Sequence, residues 1–158
     1  MGRWQLLQGA AGGQGAAEAR LFAKEGAKVV ATDFNYELLE QTIKSINDEI
    51  GSEGVLGLKH NVASEEDWET VVSETVNRFG KVDILINNAG ILGSLSTDIT
   101  GYSREDFEKV MEVNTTGKFL GIRAAVPEMK KNGGSSIVIL PFEHDFKKHF
   151  IPINQLHN

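Results

Sequence analysis

The chain has 158 residues, a formal net charge of −6 and a pI of about 5.2, which excludes a generic polyanion-binding protein because such proteins carry a basic excess. Hydrophobic residues make up 41% and charged residues 24%, as in an ordinary soluble globular domain, and the length suits a single domain. There is no cysteine and no apolar run of the roughly 18 residues that a membrane span needs, so we expect a cytoplasmic protein that binds neither nucleic acid nor membrane.

The first 60 residues alternate short apolar runs with amphipathic stretches. The run WQLLQ precedes a glycine-rich loop, and the following stretch, AAEARLFAKEGA, predicts a helix that packs through Ala17 and Leu21. Lys28–Asp33 is rich in β-branched residues and predicts a buried strand. Residues 35–50 predict a second helix, and GVLGLKHNV predicts a third strand. The second helix is inferred from apolar residues at helical spacing: Leu38, Leu39, Ile43 and Ile46.

The rest of the chain continues this alternation up to about residue 140. Ser64, with Asp67 three residues later, predicts the N-cap of a third helix, and KVDILINNAG predicts a fourth strand. Ser103 opens a helical stretch that continues to about Lys131, and SSIVIL predicts a fifth strand. Strands that alternate with helices in this way form parallel sheets with right-handed crossovers, so the sequence predicts a doubly wound α/β fold.

The glycine-rich loop carries the first functional signal. Gly9, Gly13 and Gly15 follow the first predicted strand and open the first helix with the spacing G-x-x-x-G-x-G. Such a loop lets the backbone approach a phosphate while the helix N-terminus points its amides at it. On its own the pattern is equally compatible with a loop that is merely rich in glycine.

Three further features favour a nucleotide site. Asp33 ends the second strand 18 residues after Gly15, where a carboxylate can accept hydrogen bonds from both hydroxyls of an adenosine ribose, although it can also serve as a helix N-cap acid. The fourth strand ends in the tetrapeptide N-N-A-G. Asn114 lies inside a helical stretch, where a polar residue indicates either a functional role or a helix kink.

Together these features resemble the short-chain dehydrogenase/reductase family, over about residues 9–138. The pairing of G-x-x-x-G-x-G with N-N-A-G after the fourth strand is quite specific to that family. The resemblance implies a Rossmann-like α/β fold, a doubly wound parallel sheet of strand order 3-2-1-4-5, incomplete at its C-terminal end. It also implies an NAD-dependent oxidoreductase that transfers hydride between small-molecule alcohols and carbonyls.

The resemblance assigns roles residue by residue. It places the pyrophosphate on Gly9, Gly13, Gln14 and Gly15, and the adenine beside Asn61 and Val62, where most members have Asp in place of Asn61. The turn that supports the nucleotide maps to Asn87, Ala89 and Gly90, and the active-site Asn that holds a water in the proton relay maps to Asn114.

Asp33 is implied to select NAD over NADP. The 2′-phosphate of NADP would place negative charge beside this carboxylate, at a cost of about 4 kcal/mol for each unit charge at ~4 Å. The glycine loop has no Lys or Arg, and Phe34 and Asn35 follow the acid. We therefore expect no cation near Asp33 to offset the repulsion.

The catalytic residues of the family do not appear at their expected positions. The family uses a Tyr as acid/base, a Lys four residues later that lowers the Tyr pKa, and a Ser thirteen residues before the Tyr. An ungapped count places Pro141 and Phe142 where a Ser pair is expected, and Gln155 where the Tyr is expected. The Lys position lies beyond Asn158. We therefore expect a dinucleotide-binding domain over residues 1–140, truncated before these catalytic residues and inactive alone.

Both ends of the chain depart from the family. Gln8 stands where members have Thr, and residues 141–158 form an atypical tail with three of the four histidines. We hypothesise that a shifted reading frame or a misassembled sequence produced both departures. The tail histidines match no common metal-ligand spacing, so no metal is expected: His144, His149 and His157.

Several readings of function stay open at this stage. The chain is either part of an NAD-dependent dehydrogenase, a non-catalytic NAD-binding module or an inert fragment. A methyltransferase shares the glycine loop and the acid after the second strand, but N-N-A-G and the glycine spacing argue against it. An unpaired edge at the fifth strand predicts self-association, either there or through the helix from Thr115 to Lys131, which would give a homo-oligomer.

Overall fold

A computed structural model describes residues 4–93 and 99–141 of the chain. The predicted tail beyond Pro141, with its three histidines, therefore lies outside the described residues. The strands are β1 Trp4–Gln8, β2 Lys28–Asp33, β3 Val55–Lys59, β4 Ile84–Asn87 and β5 Ser136–Ile139. The α-helices are α1 Gly13–Lys24, α2 Tyr36–Ile50, α3 Glu65–Phe79, α4 Arg104–Met111 and α5 Gly117–Lys130, with a 3₁₀ turn at Ile99–Gly101 and a π-helical segment at Glu112–Thr116.

The five strands form one parallel sheet in the order β3-β2-β1-β4-β5, as predicted. The order in which the chain adds strands switches sides at β1. The strands β2 and β3 lie on one side of β1, and β4 and β5 lie on the other. Leu6 at the centre pairs with Val30 on one side and Leu85 on the other. Ligands of such sheets bind at the carboxyl ends of the strands beside this reversal.

Each face of the sheet carries its own apolar core. Leu6 and its strand neighbours face α3 and α5, whereas Leu7 and its neighbours face α1 and α2, since successive strand residues point to opposite faces. Trp68 of α3 is the largest fully buried side chain of the first core. Coverage of both faces explains why the central strands read as continuous apolar runs.

The first strand forms although its sequence is unusual for a central strand. Leu6 and Leu7 are fully buried, but so are the amides Gln5 and Gln8 on either side of them. The Gln8 Nε2 donates to the Asn87 Oδ1 of β4 at 2.7 Å, so one of the two amides is hydrogen-bonded to its neighbouring strand. Two leucines and this bond are therefore sufficient for β1 to take the centre of the sheet.

The predicted packing faces of α1 and α2 need correction. Ala17 and Leu21 are exposed, and α1 instead buries Gly15, Ala19 and Ala23 against the sheet. These small residues, four apart, allow close approach of the helix to the strands. In α2, Leu39 and Ile46 are buried as predicted.

Leu38, by contrast, is 43% exposed, because it lies on the side of α2 that lines a cleft at the carboxyl ends of the strands.

None of the helices in residues 4–93 and 99–141 combines the length and the hydropathy that a membrane span requires.

Candidate cofactor-binding site

A cleft opens at the carboxyl ends of the strands. It consists of two adjoining cavities of about 430 and about 570 Å³, which share Gly9, Asp33, Ala89 and Gly90 in their walls. The smaller cavity lies over the glycine loop, and the larger one lies between the ends of β2 and β3 and the α4 region. Its walls bring together residues that are far apart in the chain, from Gly9 to Pro141.

Three glycines determine the path of the glycine loop, since Gly9 and Gly13 have positive φ values and Gly15 leaves no room for a side chain. Gly9 has a φ of 68°, and a Cβ there would also lie 3.0 Å from the Cα of Ala89. A Cβ on Gly15 would lie 2.1 Å from the carbonyl oxygen of Gly9, so the first turn of α1 sits directly against the loop. The loop is therefore folded back on itself, which turns its backbone towards the cleft.

The N-terminus of α1 opens into the smaller cavity. The helix begins at Gly13 after the N-cap Gly12, which has no side chain to bond the first amides, and its first turn has no acidic residue. Space around Gly12 and Gly13 is open, since a Cβ built on either meets no atom within 4 Å. Uncapped amides, the positive end of the helix dipole and free space together suit a phosphate group.

Asp33 stands where the two cavities meet, and the backbone holds its carboxylate. One oxygen accepts from the amide of Ala11 at 3.0 Å and the other accepts from the amide of Asn35 at 2.9 Å. The Thr42 hydroxyl donates to the carbonyl of Ala11 at 2.7 Å and so supports the same segment. A carboxylate oxygen has more than one lone-pair site, so each can still accept a hydroxyl from the cleft.

The N-N-A-G turn joins the glycine loop to β4. Asn88 donates from Nδ2 to the carbonyls of Gln8 and Gly9, at 3.0 and 3.3 Å, and lines the smaller cavity. Asn87 is fully buried beneath the cleft and bonds Gln8, while Ala89 and Gly90 line both cavities. Within this motif Asn88 is the residue that sequence reasoning missed.

The ends of β2 and β3 form the wall of the larger cavity. Asn61 and Val62 line it together with the exposed ring of Phe34, and their place beside an adenine stays a prediction. The amide of Asn61 donates to the Asp67 carboxylate at 2.7 Å, and the indole of Trp68 donates to the carbonyl of Val62 at 2.8 Å. Both contacts attach this wall to the start of α3.

His60 is a second residue that the sequence analysis did not single out. It lines the same cavity, is only 1% exposed, and bonds the Thr32 hydroxyl through Nδ1 at 2.9 Å. Its Nε2 has no hydrogen-bond partner. Burial lowers the pKa of the His60 imidazole to about 4, and the Asp67 carboxylate opposes this only in part, so the ring is neutral at physiological pH.

Asn114 lies in the π-helical segment between α4 and α5. Its Oδ1 accepts from the amide of Ile91 at 2.8 Å, and its Nδ2 donates to the carbonyl of Ile91 at 2.9 Å. The side chain thus fixes the loop that follows N-N-A-G, and the local widening of the helix explains the polar residue there. Its role in a proton relay stays a prediction.

A lysine lines the cleft, and the expectation that no cation lies beside Asp33 stays a prediction. Lys109 of α4 lines the larger cavity, with Glu112 beside it on the same wall. Lysine at this place could not be predicted, since it comes from a helix 76 positions further along the chain.

A second lysine lies near the end of β5. Burial lowers the pKa of Lys118, and its ammonium donates to the carbonyl of Leu140 at 2.7 Å.

Known proteins share both the sequence and the architecture of this cleft. The family model described as enoyl-(acyl carrier protein) reductase matches residues 9–145. The chain belongs to the short-chain dehydrogenase/reductase family. A relative from Euphorbia lathyris, short chain aldehyde dehydrogenase 1, is 37% identical over 155 residues, which is 92% of this chain and 52% of the relative.

Solved structures of other short-chain dehydrogenases/reductases superpose closely. Levodione reductase aligns with a TM-score of 0.82 at 32% identity, and NAD⁺-bound xylitol dehydrogenase with a TM-score of 0.81 at 34% identity. Each alignment covers 87% of this chain but only 53% and 52% of the respective structures. The chain thus spans about half the length of the relatives it matches, and this half contains the whole cleft described above.

Proposed function

We propose that this chain is the dinucleotide-binding half of an NAD-dependent oxidoreductase that interconverts a small-molecule alcohol and a carbonyl compound. The supporting observation is the pairing of an uncapped helix N-terminus at Gly13 with the backbone-held carboxylate of Asp33 across one cleft. A dinucleotide needs both features, because its pyrophosphate is an anion and its ribose offers two hydroxyl donors.

The glycine loop binds the pyrophosphate in this proposal. The first amides of α1 and the amides of the loop would hold the phosphate groups, and the absence of a side chain at Gly12 leaves room for them. Asp33 would accept hydrogen bonds from the ribose hydroxyls, and Asn61 and Val62 would hold the adenine. When bound, the nicotinamide ring supplies the hydride chemistry, and the residues of this chain bind and orient the cofactor.

Proton transfer is the step that this chain does not support. The only tyrosines are Tyr36 and Tyr102, and a hydrogen bond with the Glu40 carboxylate raises the pKa of the Tyr36 phenol. A general acid/base near neutral pH needs the opposite shift, towards a lower pKa, from a neighbouring cation. The isolated chain therefore binds NAD without turnover, and an NAD-binding module without catalysis is the second candidate function, favoured by this observation.

Binding and selectivity are tested by titrating the chain with NADH and NADPH and following nucleotide fluorescence. Wild type prefers NADH, and Asp33→Ala reduces that preference at least tenfold, because the 2′-phosphate no longer meets a carboxylate. Asp48→Ala on the exposed surface of α2 removes the same charge and leaves the ratio unchanged. No NADH binding by the folded wild type, or an unaltered ratio in Asp33→Ala, contradicts the proposal.

The cofactor preference also depends on Lys109. Lys109 lines the same cavity as Asp33, and in the proposal its positive charge moderates the repulsion of a 2′-phosphate, so Lys109→Ala strengthens the preference for NADH. Self-association through β5 or through the Thr115–Lys131 helix, and a cytoplasmic location, belong to the same proposal; the latter rests on a chain without cysteine.

A further inference from the structure

A buried side-chain bond joins the ends of two neighbouring strands behind the cleft. Thr32 is the next-to-last residue of β2 and is followed by Asp33. His60 is the first residue after β3 and is followed by Asn61. Thr32 is fully buried and His60 is 1% exposed, and their side chains meet at 2.9 Å between Oγ1 and Nδ1. Each member of the pair therefore immediately precedes a residue that lines the larger cavity.

The backbone bonds in the same place show why the side-chain pair matters. Asp33 and Lys59 are paired in the sheet register, and the amide of His60 still donates to the carbonyl of Asp33 at 2.9 Å. Beyond that bond the two chains diverge, Asp33 towards α2 and Asn61 towards α3. Among the described residues, the Thr32–His60 bond is the side-chain hydrogen bond that crosses between the two strand ends where they separate.

The imidazole is held from a second side by α3. Its ring meets the ring of Trp68 edge-on, with 4.3 Å between centroids and an angle of 88°. Trp68 in turn donates to the carbonyl of Val62. His60 therefore contacts β2 through Nδ1 and α3 through its ring, whereas its Nε2, buried in the wall of the cavity, is left without a partner.

A buried polar atom without a partner is unusual and calls for a reason. An apolar residue at position 60 would avoid the cost of desolvating Nε2, and the sheet and the indole would still cover it. An imidazole at position 60 is explained if the protein needs its Nδ1 bond to the Thr32 hydroxyl. That bond lies between the segments that carry Asp33 and Asn61.

We propose that His60 is a positioning residue for nucleotide binding, which acts through its bond to the Thr32 hydroxyl to hold Asp33 and Asn61 at the spacing that an adenosine group requires. The inference rests on the proposed function of the cleft. It predicts that breaking the Thr32–His60 bond weakens the adenosine half of the site in particular, beyond any loss of stability.

Two single variants and their combination test the bond. NADH is titrated by fluorescence and AMP by calorimetry, at a temperature where thermal unfolding shows every variant to be folded. Thr32→Val and His60→Leu each weaken both ligands about fivefold, the effect of losing one net hydrogen bond. The double variant is no weaker than either single variant, because the same bond is lost only once.

Conservative and matched variants separate positioning from stability. Thr32→Ser keeps the hydroxyl and His60→Asn keeps a hydrogen-bonding atom near the place of Nδ1, so both retain affinity within twofold. Thr75→Val removes another buried hydroxyl, which donates to the carbonyl of Val71 inside α3, away from the cleft. It lowers the melting temperature without changing the affinity for either nucleotide.

The outcomes distinguish this inference from the proposal on which it rests. If the wild type binds NADH and Thr32→Val binds NADH and AMP as tightly as the wild type does, the positioning role alone is overturned. It is also overturned if the losses of binding free energy in the two single variants add up in the double variant. A folded wild type that binds neither NADH nor AMP overturns both. Should His60→Leu fail to fold, Thr32→Val compared with Thr32→Ser decides the question.

Discussion

The two sides of the sheet differ in how far the described residues cover them. On the β2–β3 side, α2 and α3 flank the strands, and Thr32, Leu39, His60 and Trp68 are each no more than 1% exposed. On the β5 side, all four strand residues are exposed, and Ile137, Val138 and Ile139 show 39, 40 and 52% of their surfaces. Both β3 and β5 are edge strands, but the β2–β3 side is the better packed, whereas every residue of β5 is exposed and three of them are apolar.

In the proposed function, cofactor binding and catalysis occupy separate parts of this architecture. The groups proposed to bind adenosine lie on the packed side, and those proposed to bind the pyrophosphate lie beside it, in the loop after the central strand β1. Backbone and side-chain bonds fix both sets. The β5 side holds the exit at Pro141, where the family's catalytic segment is expected to begin. The predictions below test whether the packed side functions by itself and whether the open side carries the chain's tendency to associate.

The largest effect is expected from a change in the glycine loop, Gly15→Ala. The new Cβ would overlap the carbonyl oxygen of Gly9, so the loop must move, at a cost of about 3 kcal/mol or more in the free energy of unfolding. Chemical denaturation and NADH titration measure the loss of stability and of binding. Gly134→Ala, at an open position outside the cleft, serves as the control, and equal behaviour of the two variants would refute the loop geometry.

A second effect concerns acid stability. The pKa of His60 is lowered in the fold from 6.5 to about 4, so the unfolded chain binds more protons between these pH values. The stability from the neutral ring is complete above pH 6.5 and is lost as the pH falls towards 4, by on the order of 3 kcal/mol. His60→Asn has a shallower slope in unfolding free energy against pH, and an identical slope would disprove the linkage.

A smaller effect is expected at the open side. Val138→Lys places a charge in the middle of the exposed strand, and charged residues at sheet edges oppose strand pairing between molecules. We expect the dissociation constant for self-association, measured by analytical ultracentrifugation, to rise about tenfold. Leu21→Lys on the exposed face of α1 makes the same exchange away from the edge and leaves association unchanged. A wild type that is monomeric at high concentration would contradict the prediction.

The smallest effect concerns the helix layer beneath the open side. Arg123 of α5 donates to both carboxylate oxygens of Glu65 in α3, at 3.3 and 2.6 Å, with both side chains more than half exposed. Arg123→Ala lowers the free energy of unfolding by no more than about 1 kcal/mol, and added salt reduces the difference. A loss of several kcal/mol in thermal unfolding would show that this pair contributes far more than exposed ion pairs do.

The sequence predicted the strand order and most of the cleft. The alternation of apolar runs with helical stretches placed every strand within a few residues, and the glycine spacing, Asp33 and N-N-A-G lie together as expected. The packing face of α1 was wrong, because a helix that lies close to a sheet buries its smallest residues and not its most apolar ones.

What the sequence determined by itself was the set of backbone-driven features: the parallel sheet, the loop that only glycine can form, and an acid at the end of β2. These follow from local conformational limits and from periodicity, which neighbouring residues record directly. The tertiary structure alone decided that Asn88 holds the glycine loop, that Thr32 bonds His60 and that Lys109 shares a cavity with Asp33. These relations join residues 28 to 80 positions apart, and they depend on how the elements pack, which no local pattern specifies.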